Sequence, residues 1–309
     1  MQITNTPTNV IPDRKKLPFG GAEAVVSSDL LSIVSQLIIN SSTSINDINL
    51  QQQFLTNYRT WIESTKLNTV KGLDQFPIAA YSNGTSEAFD KFYLKYHTRR
   101  FRCFRAEYMY HQAAWRNYFP NWRFIDDEPL LNLDAVVISL PFSDLGDAHP
   151  KMNMILNQCA ELNIPVLLDC AYFGICQDMT FDFTHPAITD ITFSLSKFFP
   201  VPHLRIGMRL TKIDDDDSLL VLNKTLYTNR IGLAVGLKLI DQFGPDYICE
   251  TYSSSQKDLC DQLGVAASKC VIFGVDHDNQ YPIYNRGLTS NRLCIAKYLD
   301  IKTLPENIK

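Results

Sequence analysis

The chain has 309 residues, more than a single hydrophobic core usually accommodates, so we expect one large domain and a smaller one. Hydrophobic residues make up 45% of the sequence and charged residues 20%, as in an ordinary globular protein. The net charge of −4 argues against a nucleic-acid partner, because surfaces that bind nucleic acids are usually basic.

The eight cysteines are dispersed along the chain and form no Cys-x-x-Cys pair. This argues against a metal knuckle and predicts buried, reduced thiols in a cytoplasmic protein without a metal.

Residues 1–12 lack the basic and apolar regions of a secretory signal. The apolar stretch 30–39 is too short to span a membrane, so we expect no membrane partner. We expect it to form a helix that packs on the core or on a partner subunit.

From about residue 78, short apolar runs alternate with segments of helical periodicity. Strands that alternate with helices indicate an α/β fold, with a mainly parallel sheet that is flanked by helices. The predicted strands are 77–82, 102–105, 121–125, 135–140, 166–169, 191–195 and 206–210, and the predicted helices are 85–96, 110–118 and 152–162.

The pattern changes after Ser218. We predict a long helix over 219–243 with a break near Thr228 and Asn229, followed by further helix and short strands that include 293–298. The large domain is predicted to span residues 66–218. The chain ends, residues 1–65 and 219–309, are predicted to form a smaller α+β domain.

Polar residues fall where predicted strands end, and ligands of open α/β sheets collect at those carboxyl ends. Lys197 follows the strand 191–195, and partial desolvation there would make its amine nucleophilic, although an ordinary surface lysine is an alternative. Asp169 ends the strand 166–169 and needs a partner, because an isolated buried carboxylate is costly. A protonated pyridine nitrogen, a salt bridge or a helix cap would each suffice.

Two further segments suggest anion binding. The turn Gly84-Thr85-Ser86 precedes the helix 85–96, and free backbone N–H groups at a helix start attract phosphate. A plain helix cap would use the same residues. Arg292 enters a late apolar strand, where its guanidinium can hold a carboxylate through two parallel hydrogen bonds, unless it is an exposed arginine of an edge strand.

Together, the order and spacing of these segments resemble the fold-type-I pyridoxal-5′-phosphate (PLP) enzymes, in particular the class I/II aminotransferases. The segment 194–197, Ser-Leu-Ser-Lys, with Arg205 eight residues after its lysine, is similar to that family's cofactor-lysine motif. The segment 169–172, Asp-Cys-Ala-Tyr, begins 28 residues before the lysine and is similar to the cofactor-ring motif. The resemblance covers residues 78–210 well and the segment near Arg292 less well.

The resemblance implies a role for each site residue. Lys197 would form a Schiff base with PLP, Asp169 would pair with the pyridine nitrogen, and Tyr172 would hydrogen-bond the ring's phenolic oxygen. Arg292 would bind the α-carboxylate of the substrate. The aromatic residue stacked on the ring would be Tyr108, with Tyr110 and Trp115 as competitors. The residues implied for the phosphate are Gly84, Thr85, Ser86, Ser194 and Arg205.

The sequence departs from the family at one turn, where an asparagine usually contacts the ring oxygen. In the matching segment 141–146, Ser143 takes that place, or Asp144 does if the alignment slips by one residue. A serine reaches less far than an asparagine, so we expect the electronic state of the ring to be tuned differently. The chain is also short for this family, which leaves the choice of substrate open.

The activity implied by the resemblance is transamination between an α-amino acid and a keto acid, with a homodimer as the expected assembly. Arg292 favours transamination, because it implies a carboxylate that is kept through the reaction. A PLP-dependent lyase, decarboxylase or racemase is the alternative. A scaffold without PLP is a further alternative, and so is a Rossmann nucleotide binder, although no Gly-x-Gly-x-x-Gly follows the first predicted strand.

Overall fold

A computed structural model describes residues 17–41, 44–111 and 122–304, so most of the predicted helix 110–118 lies outside the described residues. The helices of the described ranges with defined bounds are α1 Ser28–Asn40, α2 Leu50–Glu63, α3 Thr85–Lys95, α4 Met152–Glu161, α5 Ser218–Lys224, α6 Arg230–Gln242 and α7 Tyr247–Leu263. The strands are β1 Thr69–Lys71, β2 Ile78–Asn83, β3 Arg100–Cys103, β4 Arg123–Phe124, β5 Asp134–Ser139, β6 Val166–Cys170, β7 Thr180–Asp182, β8 Ile188–Ser194, β9 Ile206–Thr211, β10 Ala266–Ala267, β11 Phe273–Asp276 and β12 Asn291–Cys294.

Seven strands form the central sheet, in the order β2-β9-β8-β6-β5-β3-β4. Only β9 within this sheet runs against its neighbours, so the predicted mainly parallel α/β fold is confirmed. Every residue of β5, β6 and β9 is buried, as expected for strands that are covered on both faces. Neighbouring residues of β5 show this directly, since Val136 and Val137 belong to two different apolar clusters.

The carboxyl ends of β2, β5, β6 and β8 meet at one edge of this sheet because the four strands run in the same direction. Ser139, the last residue of β5, lies beside Asp169 of β6 in the register of the two strands. Residues far apart in sequence are thereby brought to one edge.

The strand predicted over 102–105 is displaced in the structure, where β3 begins at Arg100 and ends at Cys103. The cause is an unusual pair of arginines inside a strand. Arg100 and Arg102 each form a 2.6 Å salt bridge with Asp134, and the Arg102 side chain is completely buried. The predicted strand 121–125 is also shorter than expected, because β4 spans only Arg123 and Phe124.

The predicted break in the helix 219–243 is confirmed, since α5 ends at Lys224 and α6 begins at Arg230. Asn229 caps α6, and its side chain accepts a hydrogen bond from the Gly232 N–H at 2.8 Å. This side-chain bond satisfies a backbone N–H that an uninterrupted helix would have bonded internally.

The predicted helix over 30–39 is α1, which begins after Ser27 as its cap and buries Leu30 and Val34. Helix α2 was not predicted, although Phe54, Tyr58 and Trp61 share its buried face at helical spacing.

None of the helices in the described ranges is long and apolar enough to cross a bilayer. All eight cysteines are buried free thiols. The division into two domains stays a prediction.

Candidate active site

A cavity lies at the carboxyl edge of the central sheet. All the predicted site residues line it except Gly84 and Arg292, which lie directly behind lining residues. The predicted lining residues are Thr85, Ser86, Tyr108, Ser143, Asp169, Tyr172, Ser194, Lys197 and Arg205. The lining residues that were not predicted are Ser139, Pro141, Ala171, Ser196 and Pro202.

Lys197 and Asp169 face each other across this cavity closely enough to interact electrostatically. The Lys197 Nζ donates a hydrogen bond to the backbone oxygen of Ala22 at 2.5 Å. Asp169 is only 4% exposed, and its carboxylate accepts a hydrogen bond from the Ala171 N–H at 3.0 Å. Burial, and after it the nearby charge of Glu107, raise the pKa of Asp169 to about 8, while the Ala171 N–H and Lys197 act against this shift. Asp169 can therefore carry a proton near neutral pH.

One end of the cavity is lined by donors that suit an anion. The Arg205 guanidinium donates to the Ser86 hydroxyl at 2.7 Å and to the Asn83 carbonyl at 3.0 Å. Gly84 sits directly behind this guanidinium, with φ +72° and no side chain. A Cβ at Gly84 would lie 2.4 Å from Arg205 Nη2, so the glycine is required for the arginine to take this place.

Hydroxyl groups complete this anion-binding end. The Ser194 hydroxyl accepts a hydrogen bond from the Ser196 N–H at 3.1 Å and bonds the Ser196 hydroxyl at 2.9 Å. Thr85 starts α3, whose first turn offers backbone N–H groups to a ligand. Hydroxyls, backbone N–H groups and one guanidinium are the donors that phosphate sites commonly use.

The structure distinguishes among the aromatic residues considered for stacking. Tyr108 lines the cavity, whereas the Tyr110 hydroxyl donates to the Asp90 carboxylate at 2.8 Å, away from the cavity wall. The rings of Tyr108 and Tyr110 stack on each other, with their centroids 6.2 Å apart. Trp115 lies outside the described residues. Of the two described candidates, Tyr108 is the one whose side chain lines the cavity.

The structure also distinguishes Ser143 from Asp144. Ser143 lines the cavity, and its hydroxyl accepts a hydrogen bond from Arg286 at 3.3 Å. Asp144 is buried and pairs with the same arginine, with 3.3 Å between Arg286 Nη1 and Asp144 Oδ1. Ser143 is thus the residue at the cavity, and Asp144 balances the charge of a buried arginine.

Arg292 on β12 lies behind Ser143 and Tyr172. Its Nη1 donates to the Ser143 carbonyl at 2.5 Å, and its Nη2 donates to the Gly21 carbonyl at 2.6 Å. The guanidinium also lies over the Phe273 ring, 4.4 Å from the centroid. Its Nε–H is buried without a hydrogen-bond partner among the described residues.

Burial raises the pKa of Tyr172 to about 12, although Arg292 and Arg286 both act to lower it. The Tyr172 hydroxyl therefore stays protonated at physiological pH and can donate a hydrogen bond into the cavity.

Three contacts of the site were not foreseen. Glu107, directly before Tyr108, is completely buried behind Ser139, and Gly21 and Ala22 offer backbone carbonyls to the site. Backbone carbonyls carry no signal in a sequence. A glutamate between Ala106 and Tyr108 reads as an ordinary loop residue, because its burial depends on strands that lie far away in the chain.

No family model and no curated protein sequence matches this chain significantly, but many solved structures do. They show that the chain has the fold of the fold-type-I PLP enzymes, of the class I/II aminotransferase kind.

A PLP-bound C–S lyase from Staphylococcus hominis superposes with a TM-score of 0.68 and 10% identity, covering 96% of this chain and 92% of the lyase. An aspartate aminotransferase double mutant from Thermus thermophilus gives 0.65 and 12% identity, covering 88% and 85% of the two chains. A tyrosine aminotransferase from Leishmania infantum gives 0.63 and 14% identity, covering 91% and 89%. At these identities the likeness shows the fold, so the reaction must be argued from the site.

Proposed function

We propose that this protein is a PLP-dependent aminotransferase that transfers the amino group of an α-amino acid to a keto acid. The observation that carries the proposal is that Lys197 and Asp169 line one cavity whose far end holds Arg205 and Ser86. The fold supports it, since solved structures of similar shape include aminotransferases and a PLP-bound enzyme.

The residues of the cavity fit PLP at each of its functional groups. Lys197 offers an amine to the aldehyde, Asp169 a proton-bearing carboxyl to the ring nitrogen, and Tyr172 a hydroxyl to the phenolic oxygen. The space above Gly84, which a Cβ would fill, admits the Arg205 guanidinium for the phosphate. When bound, PLP supplies a conjugated ring that accepts electrons from the substrate Cα.

The chain's own residues then have distinct roles in the proposal. Asp169 keeps a proton at the ring nitrogen, which favours the electron-accepting form of the ring. Lys197 Nζ would hold the aldehyde carbon of PLP and, when free, would serve as the general base and then the general acid for the proton at the substrate Cα. Arg292 would hold the α-carboxylate through the Nη donors that bond the Ser143 and Gly21 carbonyls in the cofactor-free chain, and so would orient Cα toward Lys197.

The first test is covalent attachment of the cofactor. The purified protein should absorb in the near-visible after loading with PLP, and borohydride reduction followed by peptide mass analysis should place the label on Lys197. The matched variant Lys197→Ala should bind PLP without fixing it. A label on another lysine, or no binding, would refute the proposal at its first step.

The second test concerns the reaction. An amino-acid donor should convert the bound aldehyde spectrum to that of the amine form, and a keto acid should restore it. A C–S lyase or another elimination remains the second candidate, because Ser143 replaces the family's asparagine and a C–S lyase shares the fold. Release of ammonia and a keto acid without an added acceptor, with an unchanged aldehyde spectrum, would favour that candidate.

The assembly and location belong to the same proposal. We expect a homodimer, with α1 as a candidate contact because Leu31 and Ile39 on it are 45% and 72% exposed. Light scattering during gel filtration would measure the assembly, and Ile39→Asp should shift it toward monomer.

We expect a cytoplasmic protein, because all eight cysteines are buried free thiols. The small domain from residues 1–65 and 219–309 is likewise retained as a proposal.

A further inference from the structure

Glu107 is a buried carboxylate that the proposed mechanism does not use. Its side chain is completely buried, although burial of an acidic group is costly without partners. The loop that carries it places Tyr108 at the cavity, so Glu107 itself lies one layer behind the lining residues. A second acidic group this close to Asp169 requires a reason.

Ser139 connects the two acids. Its N–H donates to Glu107 Oε2 at 3.0 Å, and its hydroxyl donates a short hydrogen bond to Glu107 Oε1. The same hydroxyl lies within hydrogen-bonding reach of Asp169, which is the register partner of Ser139 on the neighbouring strand. One serine at the end of β5 therefore bridges a residue that lines the cavity and one that lies behind it.

The number of hydrogens sets the direction of this bridge. A serine hydroxyl has one hydrogen, so if it donates to Glu107 it can only accept from Asp169, and Asp169 must then carry a proton. Glu107 also accepts from the Tyr108 N–H at 3.0 Å, which gives it three donors, whereas Asp169 has the single backbone donor Ala171. Hydrogen bonds to the charged form favour it, so the geometry places the negative charge on Glu107 and the proton on Asp169.

The surrounding charges agree with this arrangement. Arg286 fixes the Glu107 backbone, since its Nη2 donates to the Glu107 carbonyl at 3.1 Å, and its charge favours an ionised Glu107. Burial raises the pKa of both acids, and for Asp169 the charge of Glu107 adds to the effect of burial. The other titratable groups near the pair are Lys197, Tyr108 and Cys170 around Asp169, and Cys103 near Glu107.

We propose that Glu107 is a positioning residue that acts through Ser139 to hold one proton in the contact between Asp169 and the ring nitrogen of bound PLP. The inference rests on the proposed function and deepens it. In the complex that proton would lie between Asp169 and the ring nitrogen, and the negative charge of Glu107 behind Ser139 would favour its retention there. The electron-accepting form of the ring is thereby maintained at higher pH than Asp169 alone would allow.

The test compares Glu107→Gln with Glu161→Gln, which removes an exposed acidic residue at the end of α4. The full chain is loaded with PLP labelled with nitrogen-15 in the ring, and the nitrogen chemical shift is followed against pH. We expect the ring-nitrogen pKa to fall by about one unit or more in the Glu107 variant, the usual scale for loss of a nearby opposite charge. We expect no change in the Glu161 variant.

A second readout needs no cofactor. Carbon-13 carboxyl signals of the cofactor-free chain report the titration of Asp169, which should move to lower pH in Glu107→Gln because a like charge is lost. Ser139→Ala should shift both titrations away from the wild-type values, because it removes the hydroxyl that contacts both acids, and Glu107→Asp should restore them in part. These two variants also serve if Glu107→Gln does not fold. In steady-state assays, Glu107→Gln should lower kcat with little change in KM.

Each outcome has a separate meaning. A wild-type chain that binds no PLP refutes the proposed function. A wild-type chain that binds PLP, together with Glu107 and Ser139 variants whose titrations match the Glu161 control, refutes this inference alone. A Glu107 variant that is less stable but titrates as the wild type does shows that Glu107 only supports the fold, and it overturns the inference equally.

Discussion

Replacing Gly84 with alanine should weaken cofactor binding by displacing Arg205. Gly84 has φ 72° and ψ 180°, a backbone conformation that is essentially restricted to glycine and costs other residues about 1–3 kcal/mol. The added Cβ would lie 2.4 Å from Arg205 Nη2 and 2.8 Å from its Cζ. Both distances are too short for non-bonded atoms, so either the turn or the arginine must move.

The arginine is the part that can move, because the clashing atoms are at the end of a flexible side chain. If it moves, it leaves the Ser86 hydroxyl and the Asn83 carbonyl, and its charge leaves the anion-binding end of the cavity. A hydrogen bond to a charged group contributes about 1.5–3 kcal/mol. We therefore expect PLP to bind roughly 10- to 150-fold more weakly, since every 1.4 kcal/mol changes affinity tenfold. Any strain left in the turn would appear as a loss of about 1–3 kcal/mol in the free energy of unfolding.

Two measurements separate these effects. Titration of the cofactor-free protein with PLP, followed by near-visible absorbance, gives the affinity, and urea unfolding gives the stability. Gly244→Ala is the matched control, because a Cβ at Gly244 would meet nothing within 4 Å and its φ is not positive. A Gly84→Ala protein that binds PLP as tightly as this control would refute the argument that the glycine positions Arg205.

Three further predictions concern charged residues. Burial raises the pKa of Asp169 in the folded chain to about 8 from its ordinary 3.8, so the cofactor-free protein should lose stability as the pH rises from about 4 to about 8. Urea unfolding across this range should show the loss in the wild type but not in Asp169→Asn, and equal slopes would contradict it. Arg292→Lys should raise KM for the amino acid roughly 10- to 150-fold, with a smaller effect on kcat, because lysine cannot bind a carboxylate bidentately. A KM that is unchanged in steady-state assays would count against the role assigned to Arg292. Asp134→Ala should destabilise the fold by about 3–5 kcal/mol by leaving Arg102 buried and unpaired, as measured by urea unfolding; a loss below about 1 kcal/mol would be inconsistent with that reasoning.

Much of the fold could be predicted because its determinants are local. The strand β6 is a continuous apolar run closed by Asp169, and this pattern arises wherever a parallel strand is buried on both faces. The break before α6 was visible because Asn229 is a good helix cap. Lys197 could be identified because it follows a strand closely, so its position at the sheet edge required only the strand assignment. Arg205 could be identified by its spacing, eight residues after the lysine in the segment that resembles the family's motif.

The remaining features depend on contacts between distant segments. Arg102 is a charged residue at the centre of a strand, and only its pairing with Asp134, 32 residues away, makes its burial possible. Glu107 and Arg286 meet across 179 residues, and neither lies in a segment with a pattern of its own. Sequence patterns report the periodicity of burial, but they do not report which charges neutralise each other inside the fold.

The substitution at position 143 connects these features with the chemistry of the site. Where the family's asparagine would share the ring oxygen with a tyrosine, Ser143 is instead engaged by Arg286 through its hydroxyl and by Arg292 through its carbonyl. In the proposed function the ring oxygen would be left mainly to Tyr172, whose raised pKa keeps its hydroxyl a donor across the physiological range. With less stabilisation at the oxygen, the proposal assigns control of the ring's electronic state mainly to its nitrogen, which would face Asp169 and, behind it, the buried acid Glu107. The replacement of the family's asparagine by Ser143 would thus weaken stabilisation at the ring oxygen, and the buried carboxylate of Glu107 would strengthen it at the ring nitrogen. The two features are consistent with each other.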